Sequence, residues 1–542
     1  MNAPFFRRPF GRRLTAAAAA VVAGTLALSG CAAGVQNQDG GDASSSDELR
    51  VAITAYPSSW DQDFVGFDLT ALTMYKNVYP YLIDYGVTEV DGGAILDTTD
   101  IFPTWAESFE SENGMDWTLT IKEGATFPSG NPITAEDVKW SKDRAFAAGA
   151  NVAGLYSLIG LTDPSQVEVV DERTVAFHQE FPSALTEQIQ AISLFIYDSV
   201  LMQEHATDDD PWAADWAAQN PTDGGYFVVD DAVPGQEIVL KANPDYLGDN
   251  GANVETVRFT VVSDTATAAV MLREGDVDLA LGLSAAEVAD LEGAEGVKIL
   301  TAPNNEMVSI PLNTTMGPLA DVRVRQAVAN AIPYDQIIST VYGGDARLPK
   351  SLVPIDMPGY TEDGFPYTQD LDAARDLLAE AGVENLTLQL AYAAEDGEAE
   401  QIAVLVQDAL GEIDVTVEPL PLDPATLGER RAARDLDMQI TAGSQWVNDV
   451  EYLIGTTFSE GAALNYSGYS SPAIADLVVQ ARSAAEAGAR EAIWGQVQEV
   501  LAQDVPGIPL AQPDFALPVR DNVDGFVQPV DSLIRFNTFT LE

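Results

Sequence analysis

The sequence predicts an α/β protein, and three features carry that reading. Leu386, Leu388, Leu390 and Tyr392 alternate as a strand, Ile402, Leu405, Val406 and Ala409 recur at helical spacing, and Ile413, Val415 and Val417 alternate again. A strand, a helix and a strand in that order form a right-handed parallel crossover. An apolar strand over residues 308–312 is then broken by Gly317 and Pro318, and Asp321 can cap the helix that follows by accepting from its first free amides. Val324, Ala327, Val328 and Ala331 make the apolar face of that helix, Arg323, Arg325 and Gln326 point away from it, and Pro333 ends it. Finally, 542 residues of which 46% are hydrophobic make a globular chain of roughly three domains at about 150 residues each.

The N-terminus is a processing segment. Arg7, Arg8, Arg12 and Arg13 precede an apolar run over residues 14–28, shorter than the roughly 20 residues a membrane-spanning helix needs. Residues 1–31 therefore read as a signal peptide ending in Leu28-Ser29-Gly30-Cys31, which resembles the bacterial lipobox. Cys31 is the only cysteine, so no internal disulfide can form, and its position makes it the expected lipidation site. The arginine pair leaves the export route open between the general and twin-arginine systems. Residues 32–46 are small, polar and aperiodic, a flexible tether with a reach of about 20 Å. No later stretch is long and apolar enough to span a bilayer.

Residues 49–53 alternate as a short strand and lead into the turn-rich Ala55-Tyr56-Pro57-Ser58-Ser59-Trp60-Asp61, followed by aromatic-dense residues 74–83. Trp117, Leu119 and Ile121 mark another strand, Gly124 and Gly130 bound a hairpin-like turn, and Thr134 with Asp137 opens a helix as a capping box. Residues 238–240 form a strand, and Gly275 ends a helix that leads into a short buried strand at 278. Asp370 caps a helix whose apolar face is Ala374, Leu377, Leu378 and Ala381, with Gly382 as its stop. A strand at about 437–441 runs into a loop at 442–449, which lies where open α/β sheets bind ligands, beyond a strand's carboxyl end. One amphipathic helix is expected around 474–500, and strands after Asp514 return toward the start of the fold.

Several of these segments carry longer signatures. Residues 117–138 follow W-x-x-x-[LI]-[RK]-x-G-x-x-F-x-x-G-x-P-[LI]-T-A-E-D-V, and residues 313–327 follow N…P-[FL]-x-D-x-R-V-R-Q-A. Pro103-Thr104-Trp105-Ala106-Glu107-Ser108 and Asn243-Pro244-Asp245-Tyr246 match two more. Together they resemble the peptide and nickel class, family 5, of bacterial ABC-transporter extracellular solute-binding proteins. The resemblance implies a two-lobed periplasmic-binding-protein type II fold with an additional inserted domain. Lobe I would comprise 47–87, 221–312 and 515–542, the inserted domain II 88–220, and lobe III 313–514. It implies a monomeric, membrane-tethered extracytoplasmic receptor that captures a peptide-like ligand between its lobes and delivers it to an ABC permease and its ATPase. The same receptor role for a sugar, a metal chelate or another small compound stays open. An exported hydrolase using a carboxylate pair in the cleft is the alternative of a different class.

Within that family, Trp446-Val447-Asn448-Asp449 resembles W-x-x-D, whose aspartate binds the peptide's α-ammonium. Asp449, Trp446, Val447, Gln445, Ser59 and Trp60 are thus the expected ligand-binding residues. Gln445 replaces the usual glycine, and Gly443 stands where some oligopeptide receptors have a carboxylate-binding arginine. The alternative is that Asp449 caps a turn or a helix.

Other chemistries find no support. The chain has no P-loop, no G-x-S-x-G elbow and no H-E-x-x-H, and its two histidines, His178 and His205, cannot build a multi-histidine metal site. No cofactor is implied. Asp61 with Asp63, and Asp276 with Asp278, lack the remaining ligands of a calcium loop and read as solvated or capping acids. With 84 acidic against 27 basic residues, a formal charge of −57 and no basic patch after residue 40, the chain is no nucleic-acid binder.

Overall fold

The computed structural model describes residues 47–542 apart from 65–67, 91–92 and 485–486. The signal segment, Cys31 and the tether lie outside these described residues.

The first lobe is built on a seven-stranded sheet in the order Val297–Ala302, Phe515–Arg520, Leu279–Ala280, Glu48–Ile53, Thr256–Val261, Glu237–Ala242, Phe227–Val233. Glu48–Ile53 sits in the middle, parallel to both Thr256–Val261 and Leu279–Ala280. Its Leu49, Val51 and Ile53 share one face and are buried with Phe259, Leu279 and Val519, the alternation that the sequence shows. Of the strands after Asp514, Phe515–Arg520 joins this sheet, antiparallel to Val297–Ala302, whereas Val527–Gln528 pairs with Gly93–Pro103 in a separate sheet.

An inserted four-stranded antiparallel sheet follows, in the order Ala106–Ser111, Asp116–Ile121, Thr174–His178, Val167–Val169. The helix Ala135–Ala148 packs with it, opened by the expected capping box of Thr134 and Asp137 and closed by left-handed Gly149. The capping residues satisfy two amides that a helix start otherwise leaves free.

The second lobe carries the parallel crossover. Thr387–Ala393 lies between Thr416–Leu422 and Met438–Gln439 and is parallel to both, with the helix Gly397–Gly411 connecting the first pair. Thr416–Leu422 starts later than the Ile413, Val415, Val417 pattern predicts, although Ile413 and Val415 are buried in the same core. It contains Pro419 and Pro421, which an edge strand tolerates because one row of its amides has no ladder partner. Beside it, a four-stranded sheet orders Ala346–Arg347, Gly507–Pro513, Met307–Pro311 and Thr441–Gly443. The chain is thus an α/β fold of two lobes with an inserted sheet.

Two further expectations need correction. The single helix at 474–500 is two, Pro472–Ser483 and Ala487–Asp504. Arg325 does not point to solvent from the helix Val322–Ala331. It is 5% exposed and donates to the carbonyls of Asp504, Val505, Leu319 and Ala320 at 2.5–3.2 Å. The guanidinium thereby satisfies carbonyls that the end of Ala487–Asp504 leaves unpaired.

Candidate functional site

The loop at 444–449 grows out of a strand that changes sheets. Met438–Gln439 pairs with Leu390 and Ala391, while two residues later Thr441–Gly443 pairs antiparallel with Met307, Val308 and Ser309. The single strand expected at 437–441 is therefore divided at Ile440. The division puts the following loop beside the residues that enter Met307–Pro311. Asn305 fixes it there: its Nδ2 donates to the Gln445 carbonyl at 2.9 Å and to the Val530 carbonyl at 3.1 Å, and its Oδ1 accepts from the Gln445 amide at 3.3 Å.

Three carboxylates gather around this junction. Burial raises the Glu306 carboxyl above its ordinary range, and Glu398 and Asp396 push it further up, against a hydrogen bond from Ser444. Glu398 is raised too, by burial and by Asp396, against a hydrogen bond from the Ala285 amide of the first lobe at 3.4 Å. Among the described residues no lysine or arginine forms an ion pair with Glu306, Asp396 or Glu398. A partly dry cluster of negative charge without a cation favours a partner that brings one.

Asp449 differs. It caps Val450–Leu453 by accepting from the Glu451 amide at 2.7 Å, and Arg490 lies against it at 3.1 Å. Burial raises its carboxyl, and Arg490 opposes the rise. Arg490 also reaches Glu451 at 3.1 Å, and Glu451 pairs with Arg482 at 2.7 Å.

The expected site residues fall into two groups. Gln445, Trp446, Val447 and Asp449 are together on this loop, but Val447 is fully buried and Trp446 partly buried against the apolar core of the inserted domain. Ser59 and Trp60 lie on the first-lobe loop. Ser59 Oγ accepts from the Asp61 amide at 2.9 Å. Trp60 is 3% exposed in the first-lobe core, its carbonyl accepting from Tyr79 Oη at 2.6 Å. Glu306, Glu398, Asn305 and Arg490 were not singled out from sequence. The polar triplet Asn304-Asn305-Glu306 directly ahead of an apolar strand at the crossover was the available signal.

Of the acids considered for calcium, Asp276 is exposed, as expected of a solvated acid, but the other three are buried in ion pairs. Asp61 and Asp63 are buried against Arg144 at 2.5 and 2.6 Å, and Asp278 against Arg50 at 2.6 Å. His178 faces Asp116 at 2.7 Å, and His205 stacks on Trp216 at 4.1 Å between ring centres. Among the described residues no group of three or more histidine, cysteine, aspartate or glutamate side chains could hold a metal ion.

Residues 100–465 match the family described as "Bacterial extracellular solute-binding proteins, family 5 Middle". The chain is 26% identical over 506 residues to the probable D,D-dipeptide-binding periplasmic protein DdpA of Escherichia coli (strain K12), covering 92% of this chain and 93% of that protein. It is 27% identical over 464 residues to the dipeptide-binding protein of the same organism, covering 80% and 84%. Among solved structures, the ABC transporter-associated periplasmic binding protein DppA from Helicobacter pylori in complex with peptide STSA superposes with a TM-score of 0.79 at 24% identity, over 91% of this chain and 98% of that one.

Proposed function

Because the chain belongs to family 5 of the bacterial extracellular solute-binding proteins, and so binds its solute outside the cytoplasm rather than transforming it, we propose that it captures a peptide-like solute between its lobes and hands it to an ABC importer. The relatives named for dipeptides and the fold shared with a peptide-bound receptor support this reading.

The observation that carries the ligand class is the carboxylate pair of Glu306 and Glu398, each raised by burial and by the charge of Asp396, with no ion-pair partner among the described residues. Such a cluster suits the α-ammonium or a basic side chain of a peptide, whereas a neutral sugar would leave it uncompensated. Asp449 remains the family's expected ammonium partner, while its pairing with Arg490 favours Glu306 as a second reading. A lipid on Cys31 tethers the receptor, on the strength of the Leu-Ser-Gly-Cys sequence, and the family resemblance makes it a monomer.

Incubation with a mixture of short peptides and glycosides tests the reading against the hydrolase alternative. Stoichiometric retention of a peptide recovered intact is expected. Release of cleavage products that scales with time and protein would overturn the proposal.

A further inference from the structure

Beside the packing of Trp446, the described residues show three further contacts between the inserted domain and the ligand-loop side of the second lobe. Val447 and Tyr452, at 0% and 5% exposure, complete the apolar core that Leu119, Ile159, Ile189 and Phe177 form in the inserted domain. Gly455 lies under Leu158, where a Cβ would stand 2.8 Å from Leu158 Cδ2. The Arg482 guanidinium lies over the Phe181 ring, 4.5 Å from its centre.

Both partners in the last contact are held in place. Gly160 at φ +75° accepts from the Glu180 amide at 3.0 Å, and an added Cβ there would meet that nitrogen at 2.9 Å and the Phe181 ring at 3.2 Å. Arg482 is aimed by Glu451 at 2.7 Å, and Glu451 in turn by Arg490, which also faces Asp449. A guanidinium over an aromatic face is attractive through the ring quadrupole, and its carboxylate partner keeps it from turning to water.

We propose that the inserted domain is the catch of the receptor: Phe181 holds Arg482, and with it the 446–455 segment, in the arrangement described here. The chain Asp449–Arg490–Glu451–Arg482–Phe181 makes the catch responsive to charge at the ligand loop. The inference is independent of which solute the cleft takes.

Spin labels at Val170→Cys and Val479→Cys, which replace residues 57% and 61% exposed, in a full-length Cys31→Ser background, report the distance between the two parts by pulsed electron resonance. A dominant short distance is expected in the parent protein as purified. Phe181→Leu, which keeps an apolar side chain, and Arg482→Gln should each transfer population to longer distances by about two- to fivefold in the ratio, the size of an exposed cation–π contact. The double variant should shift no further than either single. An absent short distance in the parent, unchanged distributions in both singles, or additive shifts in the double would each overturn the proposal.

Discussion

The Arg490 guanidinium faces the Asp449 carboxylate in two parallel contacts, Nη1 to Oδ2 and Nη2 to Oδ1, each 3.1 Å. A ligand ammonium at Asp449 would be a second cation on one carboxylate. Asp449→Ala is expected to cost about 2–5 kcal/mol of binding for free trialanine and little for its N-acetylated form, because only the former brings the charge that Asp449 would pair. Calorimetry of both ligands with both proteins decides it. An equal loss for the two would assign Asp449 to capping and to Arg490.

Glu306 gives the competing prediction. Its carboxyl is raised by burial, then by Glu398 and Asp396, so it ionises only at a pH above the ordinary glutamate value of about 4.3. Affinity for free trialanine should therefore rise with pH through that raised value. Glu306→Gln should weaken binding by about 1.5–3 kcal/mol, the worth of a hydrogen bond to a charged group, and flatten the slope. Titrations between about pH 4.5 and 7.5 test it, and an unchanged slope in the variant would remove Glu306 from the site.

Cys31 is the sole cysteine and follows Leu28-Ser29-Gly30. Cys31→Ser should move the protein from the membrane fraction to the soluble extracytoplasmic fraction. Retention of the variant in membranes on fractionation would contradict lipid anchoring.

Acid stability rests in part on Asp84. Burial alone would raise its carboxyl, but Arg535 at 2.9 Å and Lys76 at 3.0 Å outweigh it and hold it well below the usual range. The native state thus binds fewer protons there than the unfolded chain. The stability this contributes is present above the unfolded value of about 3.9 and is lost as pH falls below it. Asp84→Asn leaves two buried cations short of a partner, so it should cost about 3–5 kcal/mol near neutrality and show a shallower acid slope. Denaturant melts at about pH 6 and pH 3 measure both, and parallel losses in the two proteins would refute the assignment.

Local signals were legible wherever a backbone group had one obvious satisfier. Asp321, Thr134 with Asp137, Asp370 and Gly382 cap the helices that their spacing predicts, because a helix end needs a partner within a few residues. Arg325 was misread because its partners are the carbonyls of Asp504 and Val505, about 180 residues away. The division of the strand at Ile440 was hidden for a related reason, since its second half is called across by Met307–Ser309 rather than by its own neighbours. In the candidate site, the 445–449 loop carries a motif that the sequence shows, whereas Glu306 and Glu398 meet only through tertiary packing and carry no pattern of their own.

A receptor of this kind should hold a peptide-like solute in its cleft. Native mass spectrometry of the protein purified from its host without chaotropes tests it most directly. One adduct per chain is expected, released on denaturation, sequencing as a short peptide and bearing at least one free positive charge. An adduct that proves to be a sugar or a metal chelate, or a chain that neither carries nor takes up any peptide, would contradict it.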